Sequence, residues 1–186
     1  MFRSRMNNAK RVWRIALASI TAALTIVLNS FSGGFSIALP PYYVSFRFST
    51  PLHFIVVLVD PVAGLLGASF GNFLYDVMMG RGYSAVVTGL FGTFVATGAF
   101  YLFSIMGGCI TLLNLLIGCI AAAVLRSLVA AASHAIFLGR AFVVTFYGTL
   151  IGTLFSNVIL SLLILSVALP MLKEHIRFPI RLRKIK

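Results

Sequence analysis

Residues Pro40–Arg81, PPYYVSFRFSTPLHFIVVLVDPVAGLLGASFGNFLYDVMMGR, hold two of the three acidic residues and the only sustained period-2 pattern of the chain. From Val44 to Ser49, apolar and polar residues alternate, which places the two sets on opposite faces of an extended segment. A continuous apolar run then ends at Asp60-Pro61, and a helix rich in small residues follows from Val62 to about Met79. The stretch predicts an extended loop segment, a short helix, a sharp turn and a closely packing helix.

The composition indicates a membrane protein. The 186 residues are 60% hydrophobic and 10% charged, and the mean hydropathy is +1.05. In soluble domains, about a quarter of the residues are charged. We therefore expect an all-α integral membrane protein with a single membrane domain over residues 1–186. Cys109 and Cys119 have no His or Asp beside them, so neither a metal site nor a disulfide is predicted.

The net charge of +12 comes mainly from the two ends of the chain. Basic clusters that flank apolar spans are typical of cytoplasmic tails and of contacts with anionic membrane lipids. We expect such tails at residues 1–11 and 171–186, and no nucleic-acid partner, because no aromatic-interleaved basic surface accompanies the charge. The eleven terminal Lys and Arg residues are Arg3, Arg5, Lys10, Arg11, Arg14, Lys173, Arg177, Arg181, Arg183, Lys184 and Lys186.

Six transmembrane helices are predicted, with a long and partly extended first outer loop. The first is kept as a mature helix because no small-x-small cleavage pattern of a signal peptide follows it. Two basic termini on the cytoplasmic side require an even number of crossings, and the break at Asp60-Pro61 raises the count from five to six. The predicted helices are 12–31, 51–59, 62–79, 84–105, 111–132 and 142–169, the last ended by Pro170.

This topology collects charged residues in the outer half of the domain. Ionisable side chains at membrane depth are costly, and they are kept where they face a bundle interior or a watery cavity. Arginines outnumber carboxylates there, so we expect a ligand with an anionic or hydrogen-bond-accepting group. Arg126 is the deepest, with Asp76 as its expected partner, and Arg47 is expected to reach the ligand from a lid, Val44–Ser49. The substrate-binding candidates are Arg47, Asn72, Asp76, Arg81, Arg126, Arg140 and Asn29.

Five of these candidates also have an ordinary structural interpretation. Arg81 and Arg140 are equally typical of anchors in the headgroup region. Intramembrane amides such as Asn29 and Asn72 are as often interhelical hydrogen bonds as ligand contacts. If the face that carries Arg47 points to solvent, the lid is an ordinary surface strand.

Catalytic chemistry is not favoured. Residues 67–71, GASFG, match the G-x-S-x-G motif of serine hydrolases, but that motif requires a strand, a turn and a helix. Asp60 before Pro61 is best explained as a helix N-cap. Asp60 and Asp76 are expected near opposite faces of the membrane, which argues against an aspartyl protease. We predict no catalytic residue, no cofactor and no metal site.

Small residues in the first helix predict close helix contact. Ala18 and Ala22 are four residues apart and form a small-xxx-small pair. The pair either packs inside this chain or contacts a partner subunit.

The assembled pattern resembles the substrate-binding S components of energy-coupling factor (ECF) transporters for vitamins and micronutrients. The resemblance rests on size, on six spans with cytoplasmic ends, on Ala18-x-x-x-Ala22 and on FRFSTPLHFIVVLVDPVAGLLGASFGNFLYD, and is closest to the queuosine-precursor-type branch. Residues 49–53 and 152–157 lack the acidic residues of that branch. The resemblance implies a cell-membrane protein that captures a small molecule and passes it inward with a coupling transmembrane protein and ATPase subunits. It also implies that Ala18 and Ala22 contact the coupling protein.

An alternative function is a small structural or accessory subunit of a larger membrane complex, without a ligand of its own. The arginines would then contact lipid headgroups. A ligand-binding protein is stabilised by its ligand, whereas a scaffold is not.

The topology gives a direct prediction. A cysteine that replaces Asp60 should react with a membrane-impermeant reagent only from the cytoplasmic side, because the Asp60-Pro61 turn is expected there. Labelling from outside intact cells would reverse the topology.

Overall fold

The computed structural model describes the backbone of residues 2–32, 36–39, 42–45, 47–175 and 181–182, and the side chains of residues 8–32, 47–106 and 110–172. The described chain is mainly helical. Its elements are α1 (Phe2–Ser32), β1 (Ser36–Leu39), β2 (Tyr42–Ser45), α2 (Thr50–Val59), α3 (Pro61–Met78), α4 (Thr93–Ser104), β3 (Cys109–Ile110), α5 (Leu112–Leu138), α6 (Phe142–Leu154), α7 (Ser161–His175) and β4 (Arg181–Leu182).

Two π-helical segments extend this set. The first π segment, Ala85–Gly92, runs directly into α4, and the second π segment, Phe155–Leu160, joins α6 to α7. Both helices are therefore continuous but carry a stretch with i to i+5 hydrogen bonding, a feature that often marks functional sites.

Four helices in the described part of the chain are long and apolar enough to cross a membrane, so the protein is membrane-embedded. They are Asn8–Ser32, Ala85–Ser104, Leu112–Leu138 and Phe142–Leu172. With 10 residues, α2 is too short to cross alone. The predicted count of six spans requires α2 and α3 to cross the membrane as well, so it stays a prediction.

Asp60 forms the turn between α2 and α3 by capping α3. Its carboxylate accepts hydrogen bonds from the backbone N–H groups of Val62 and Ala63, both at 3.1 Å, and Pro61 occupies the first helical turn. This confirms the capping role expected from the sequence. Arg14 of α1 donates to the same carboxylate at 2.8 Å. The turn therefore lies at the end of the bundle where α1 begins.

Glycines of α3 let α1 approach closely. A Cβ on Gly67 would lie 2.7 Å from the carbonyl oxygen of Ala18, and one on Gly71 would lie 2.9 Å from the Cα of Ala22. The small pair of α1 thus packs on α3 within the chain, with both alanines half-exposed. A contact between this pair and a partner subunit stays a prediction.

The core sits between α2, α4, α5 and α7. Phe54 and Phe100 stack in it with ring centroids 3.8 Å apart. Leu58, Ile110 and Leu169 are buried in the same cluster. The end of α2, the start of α5 and the end of α7 therefore meet at one end of the bundle. Because Arg14 binds the α2–α3 turn at that end, α1 begins and α7 ends on the same side.

Several predicted boundaries are corrected by the structure. The first helix begins at Phe2 rather than near residue 12, and α5 continues to Leu138, so His134 is helical instead of lying in a link. Gly139, with a φ of +62°, ends α5 in the left-handed conformation. Pro170 lies inside α7 and does not end it. A proline removes one backbone hydrogen bond, a loss that packed membrane helices tolerate.

The extended segment is also shorter than predicted. It forms the strand β2 only up to Ser45, where Ser36 of β1 pairs with it in an antiparallel hairpin. Phe48 and Ser49 already turn into α2, whose second residue, Pro51, favours a helical start. Phe46 lies outside the described residues, as do Gly33, Gly34, Pro40 and Pro41 in the same loop.

The α1–α3 contact gives a stability prediction. Gly71→Ala should lower the free energy of unfolding by about 1–3 kcal/mol, because the added methyl group overpacks the contact with Ala22 and Thr25. Thermal unfolding of the purified protein in detergent measures the change.

Gly98→Ala in α4 is the matched control. A Cβ on Gly98 would meet only the Leu65 Cδ2 atom at 3.7 Å, an ordinary contact. This variant should be neutral or stabilised, by up to ~1 kcal/mol, because alanine is the better helix former. Equal unfolding behaviour of the two variants would contradict the close α1–α3 packing.

Candidate functional site

A pocket of about 280 Å³ opens between α5, α6 and the two π segments, at the end of the bundle opposite Asp60. Its wall is polar, which is unusual inside an apolar bundle. Three arginines contribute to this wall from different parts of the chain. The lining residues are Arg47, Arg81, Ser84, Thr88, Arg126, Ala130, His134, Gly148, Thr149, Gly152, Thr153, Ser156 and Asn157.

Arg47 connects the loop before α2 to two other elements. Its Nη1 donates to Oδ1 of Asn72 in α3 at 3.0 Å, and its backbone N–H donates to Oγ of Ser156 in the second π segment, also at 3.0 Å. The guanidinium group is thereby held over the pocket instead of pointing into solvent. This geometry favours the interpretation of Arg47 as a site residue over that of a surface strand.

A chain of hydrogen bonds supports the Arg47 contact from below. Asn29 of α1 donates to Oδ1 of Asn72 at 3.0 Å and accepts from the hydroxyl of Ser49 at 2.7 Å. Asn72 in turn donates to the carbonyl oxygen of Ala68 at 3.0 Å. Asn29 and Asn72 are fully buried and do not line the pocket. Their hydrogen bond joins α1 to α3, and Asn72 positions Arg47.

Asp76 is the counter-ion of the site. It is buried in α3, and its Oδ1 accepts from Nη1 of Arg81 at 2.7 Å. The Arg81 side chain is 41% exposed and lies over the ring of Tyr75, so Arg81 stands at the pocket edge. Gly89 of the first π segment makes room for the carboxylate, because a Cβ there would lie 2.8 Å from Oδ2 of Asp76.

Arg126 is the most unusual group of the site. The residue is 6% exposed, and its Nη2 has no hydrogen-bond partner among the described residues. It lies within electrostatic range of Arg47 and Asp76, but no ion pair to Asp76 forms in the described part of the chain. The prediction that Asp76 pairs with Arg126 is therefore wrong, because Arg81 occupies the carboxylate. His134 lies about two helical turns further along α5. Its Nδ1 atom is also buried and has no hydrogen-bond partner among the described residues.

Hydroxyl groups also line the pocket, a feature that the sequence analysis did not predict. Thr88 and Thr149 each donate to the backbone carbonyl oxygen four residues earlier, at 2.7 and 2.9 Å, so their oxygen lone pairs remain available to a ligand as acceptors. The hydroxyl of Thr153 contacts that of Ser127 in α5 at 2.9 Å. Threonines recur every four residues in α6, at Thr145, Thr149 and Thr153. This spacing places them on one face of the helix and could have identified the polar face from the sequence.

The structure brings together most of the predicted candidates, but not all of them. Arg47, Arg81 and Arg126 line the pocket, and Asn29, Asn72 and Asp76 lie behind it. Arg140 is exposed and outside the pocket, so only its headgroup interpretation fits its position. Ala18 and Ala22 line a separate groove on the α1–α3 surface.

The comparisons with known proteins give no match: no protein-family model, no curated protein and no solved structure matches this chain.

The charge balance of the site gives a testable prediction. Asp76→Asn keeps the shape of the side chain but removes the carboxylate that three arginines share. We expect the free energy of unfolding to fall by about 1–3 kcal/mol, mainly through Arg47 and Arg126, since the half-exposed Arg81 contributes less. Thermal unfolding in detergent measures the loss.

A second substitution distinguishes charge from shape. Arg81→Gln added to Asp76→Asn should restore part of the lost stability, because it removes one of the unbalanced positive charges. A double variant that is no more stable than Asp76→Asn would show that the carboxylate acts only through its pair with Arg81.

Proposed function

We propose that this protein is the substrate-binding subunit of a vitamin or micronutrient uptake transporter. It captures a small polar or anionic molecule in the arginine-lined pocket and passes it inward together with a separate coupling protein and ATPase subunits. This is the function that the resemblance to ECF S components implies. The proposal assigns no catalytic step to the chain.

The observation that carries the proposal is Nη2 of Arg126, which is buried at the pocket and has no hydrogen-bond partner among the described residues. A buried charge without a partner costs several kcal/mol, by an order-of-magnitude estimate, and is retained where it serves a function. A structural subunit would gain nothing from a cavity lined by three cations. A binding subunit gains a recognition site for an anion, because guanidinium groups form strong charge-assisted hydrogen bonds with oxyanions.

The proposed orientation places the pocket on the outer side. The start of α1 and the end of α7 lie at the bundle end opposite the pocket, and the basic residues of the sequence concentrate towards its two ends. Cytoplasmic basic termini, as the positive-inside rule favours, would leave the pocket open to the outside of the cell membrane. We propose six crossings, with α2 and α3 completing the set, and a first outer loop that closes the pocket through Arg47.

The proposed partner surface is the groove between α1 and α3. Gly67, Ala18 and Ala22 line it together with Leu66 and Phe70, whose apolar side chains are partly exposed. Small residues at a membrane-facing surface permit close approach of another helix. We propose that a helix of the coupling protein packs there, on the outer edge of the alanine pair.

Ligand-dependent stabilisation tests the proposal. The purified protein should show a higher unfolding temperature with a compound from a library of vitamins and nucleobase-like precursors, because ligand binding to the folded state adds RT ln(1 + [L]/Kd) to stability. Arg47→Ala should weaken the affinity for that compound by about tenfold to a hundredfold, the effect of one charge-assisted contact.

Arg140→Ala is the matched control, since it removes an arginine outside the pocket. It should leave the affinity unchanged. Unchanged affinity in Arg47→Ala would remove the lid role. A library without any stabilising compound would favour the alternative function, a structural or accessory subunit.

A further inference from the structure

The number of acidic residues in the whole chain limits how the pocket can be neutralised. The sequence contains three: Asp60, Asp76 and Glu174. Asp76 is the one carboxylate at the pocket, against the three guanidinium groups of Arg47, Arg81 and Arg126. The site therefore carries two positive charges more than it can balance with its own side chains.

The other two carboxylates are too far away to help. Asp60 caps α3 at the opposite end of the bundle and binds Arg14. Glu174 follows Ser156 by 18 positions in one continuous helix, which separates the two by about 27 Å at 1.5 Å per residue. Neutralisation of the pocket thus requires an anion from outside the chain.

The pocket wall also combines two chemically different kinds of polar group. Arg47 and Arg126 offer donors only, and Nη2 of Arg126 is buried without a partner in the part of the chain that the structure describes. Thr88 and Thr149 donate their hydroxyl protons to helix carbonyls and offer acceptors. A matching ligand carries both an anionic group and hydroxyl or N–H donors.

We propose that the pocket binds a dianion, and that its ligand is a small hydroxylated phosphate monoester whose phosphate lies between Arg47 and Arg126. The inference rests on the proposed function and names its substrate class. A volume of 280 Å³ corresponds to about nine water molecules, which suits a compact ester of a short polyol.

A phosphate monoester fits better than a carboxylate for two reasons. It carries close to two negative charges at neutral pH, which matches the surplus of the site. It also concentrates three acceptor oxygens at one point, where two guanidinium groups converge. A monocarboxylate would balance only one of the charges.

The decisive experiment compares methyl phosphate with methyl sulfate. The two probes have nearly the same shape, but the sulfate ester keeps a single charge at all accessible pH values. At about pH 7.5, methyl phosphate should bind at least ~tenfold more tightly than methyl sulfate, the effect expected of additional charge-assisted contact. Equilibrium binding to the purified protein in detergent measures both affinities.

The pH dependence separates the ligand from the protein. Below about pH 6 the phosphate ester loses its second charge, so the affinity ratio of the two probes should fall towards one. The charged and titratable groups around the bound phosphate are Arg47, Arg81, Arg126, Asp76, Tyr75 and His134. His134 lines the pocket, and a positive charge on it would favour the dianion over the monoanion and so oppose the expected fall. A fall in the ratio that is also seen in His134→Gln therefore belongs to the ligand.

A variant tests the assignment to Arg126. Arg126→Gln should reduce the methyl phosphate affinity by about tenfold or more and shrink the preference over methyl sulfate. Arg140→Ala should change neither quantity. If Arg126→Gln does not fold, Arg47→Gln serves the same purpose, because it removes the other guanidinium group at the phosphate. A preserved preference in the folded variant would overturn the placement.

The source of the phosphate ester is decided by a second comparison. A free metabolite predicts that glycerol 3-phosphate stabilises the protein and competes with methyl phosphate. A lipid source predicts that phosphatidic acid in mixed micelles does so while glycerol 3-phosphate does not. Either result supports a phosphate monoester site.

Failure of this inference differs from failure of the proposed function. If a neutral or singly charged compound stabilises the protein while methyl phosphate binds no better than methyl sulfate, the dianion is wrong and substrate binding stands. If neither the phosphate esters nor any compound of the library binds, both proposals are wrong.

Discussion

The structure depends on one imbalance: three guanidinium groups share a single carboxylate at one end of an otherwise apolar bundle. In a soluble protein, water would screen such a cluster, and its energy would be small. Inside a membrane domain, the same charges are desolvated and their mutual repulsion is larger. The elements around the pocket can be understood as responses to this constraint. Asp76 forms an ion pair with Arg81, and the amides of Asn29 and Asn72 hold Arg47 in place. Nη2 of Arg126 keeps no hydrogen-bond partner among the described residues.

The space for the site comes from small residues and from two breaks in regular helix geometry. Gly148 and Gly152 of α6 line the pocket, and Gly89 admits the carboxylate of Asp76. The first π segment brings Thr88 to the wall, and the second brings Ser156 and Asn157. A π-helical turn changes the register of a helix. The side chains before and after it therefore point in directions that a straight α-helix would not combine, which lets one helix both pack against α5 and line a cavity.

The sequence predicts the cations of the site better than its shape. Arg47, Arg81 and Arg126 stand out because charges are scarce in an apolar chain, and the predicted topology puts them in the same half of the domain. The Asp60 cap was predictable because its chemistry is local. The pairing of Asp76 was not, since Arg81 and Arg126 compete for it through tertiary geometry. The strand that ends at Ser45 and the helix that passes Pro170 depend on packing that a local pattern does not contain.

The unequal support of the two innermost arginines indicates how binding energy is distributed. Arg47 is already fixed by its hydrogen bond to Asn72. Asn29 holds Asn72 in place, and Ser49 in turn donates to Asn29. A ligand that meets Arg47 pays little for ordering that side chain, and affinity rises with such preorganisation. Arg126 has an unsatisfied donor before the ligand arrives, so an anion removes a penalty as well as adding a contact. Because Arg47 also binds Ser156 of the second π segment through its backbone, an anion drawn to both arginines would tie the loop before α2 to α5 and to the helix opposite. Binding would then strengthen contacts that already hold this loop in place, driven by the charge that the chain itself cannot balance.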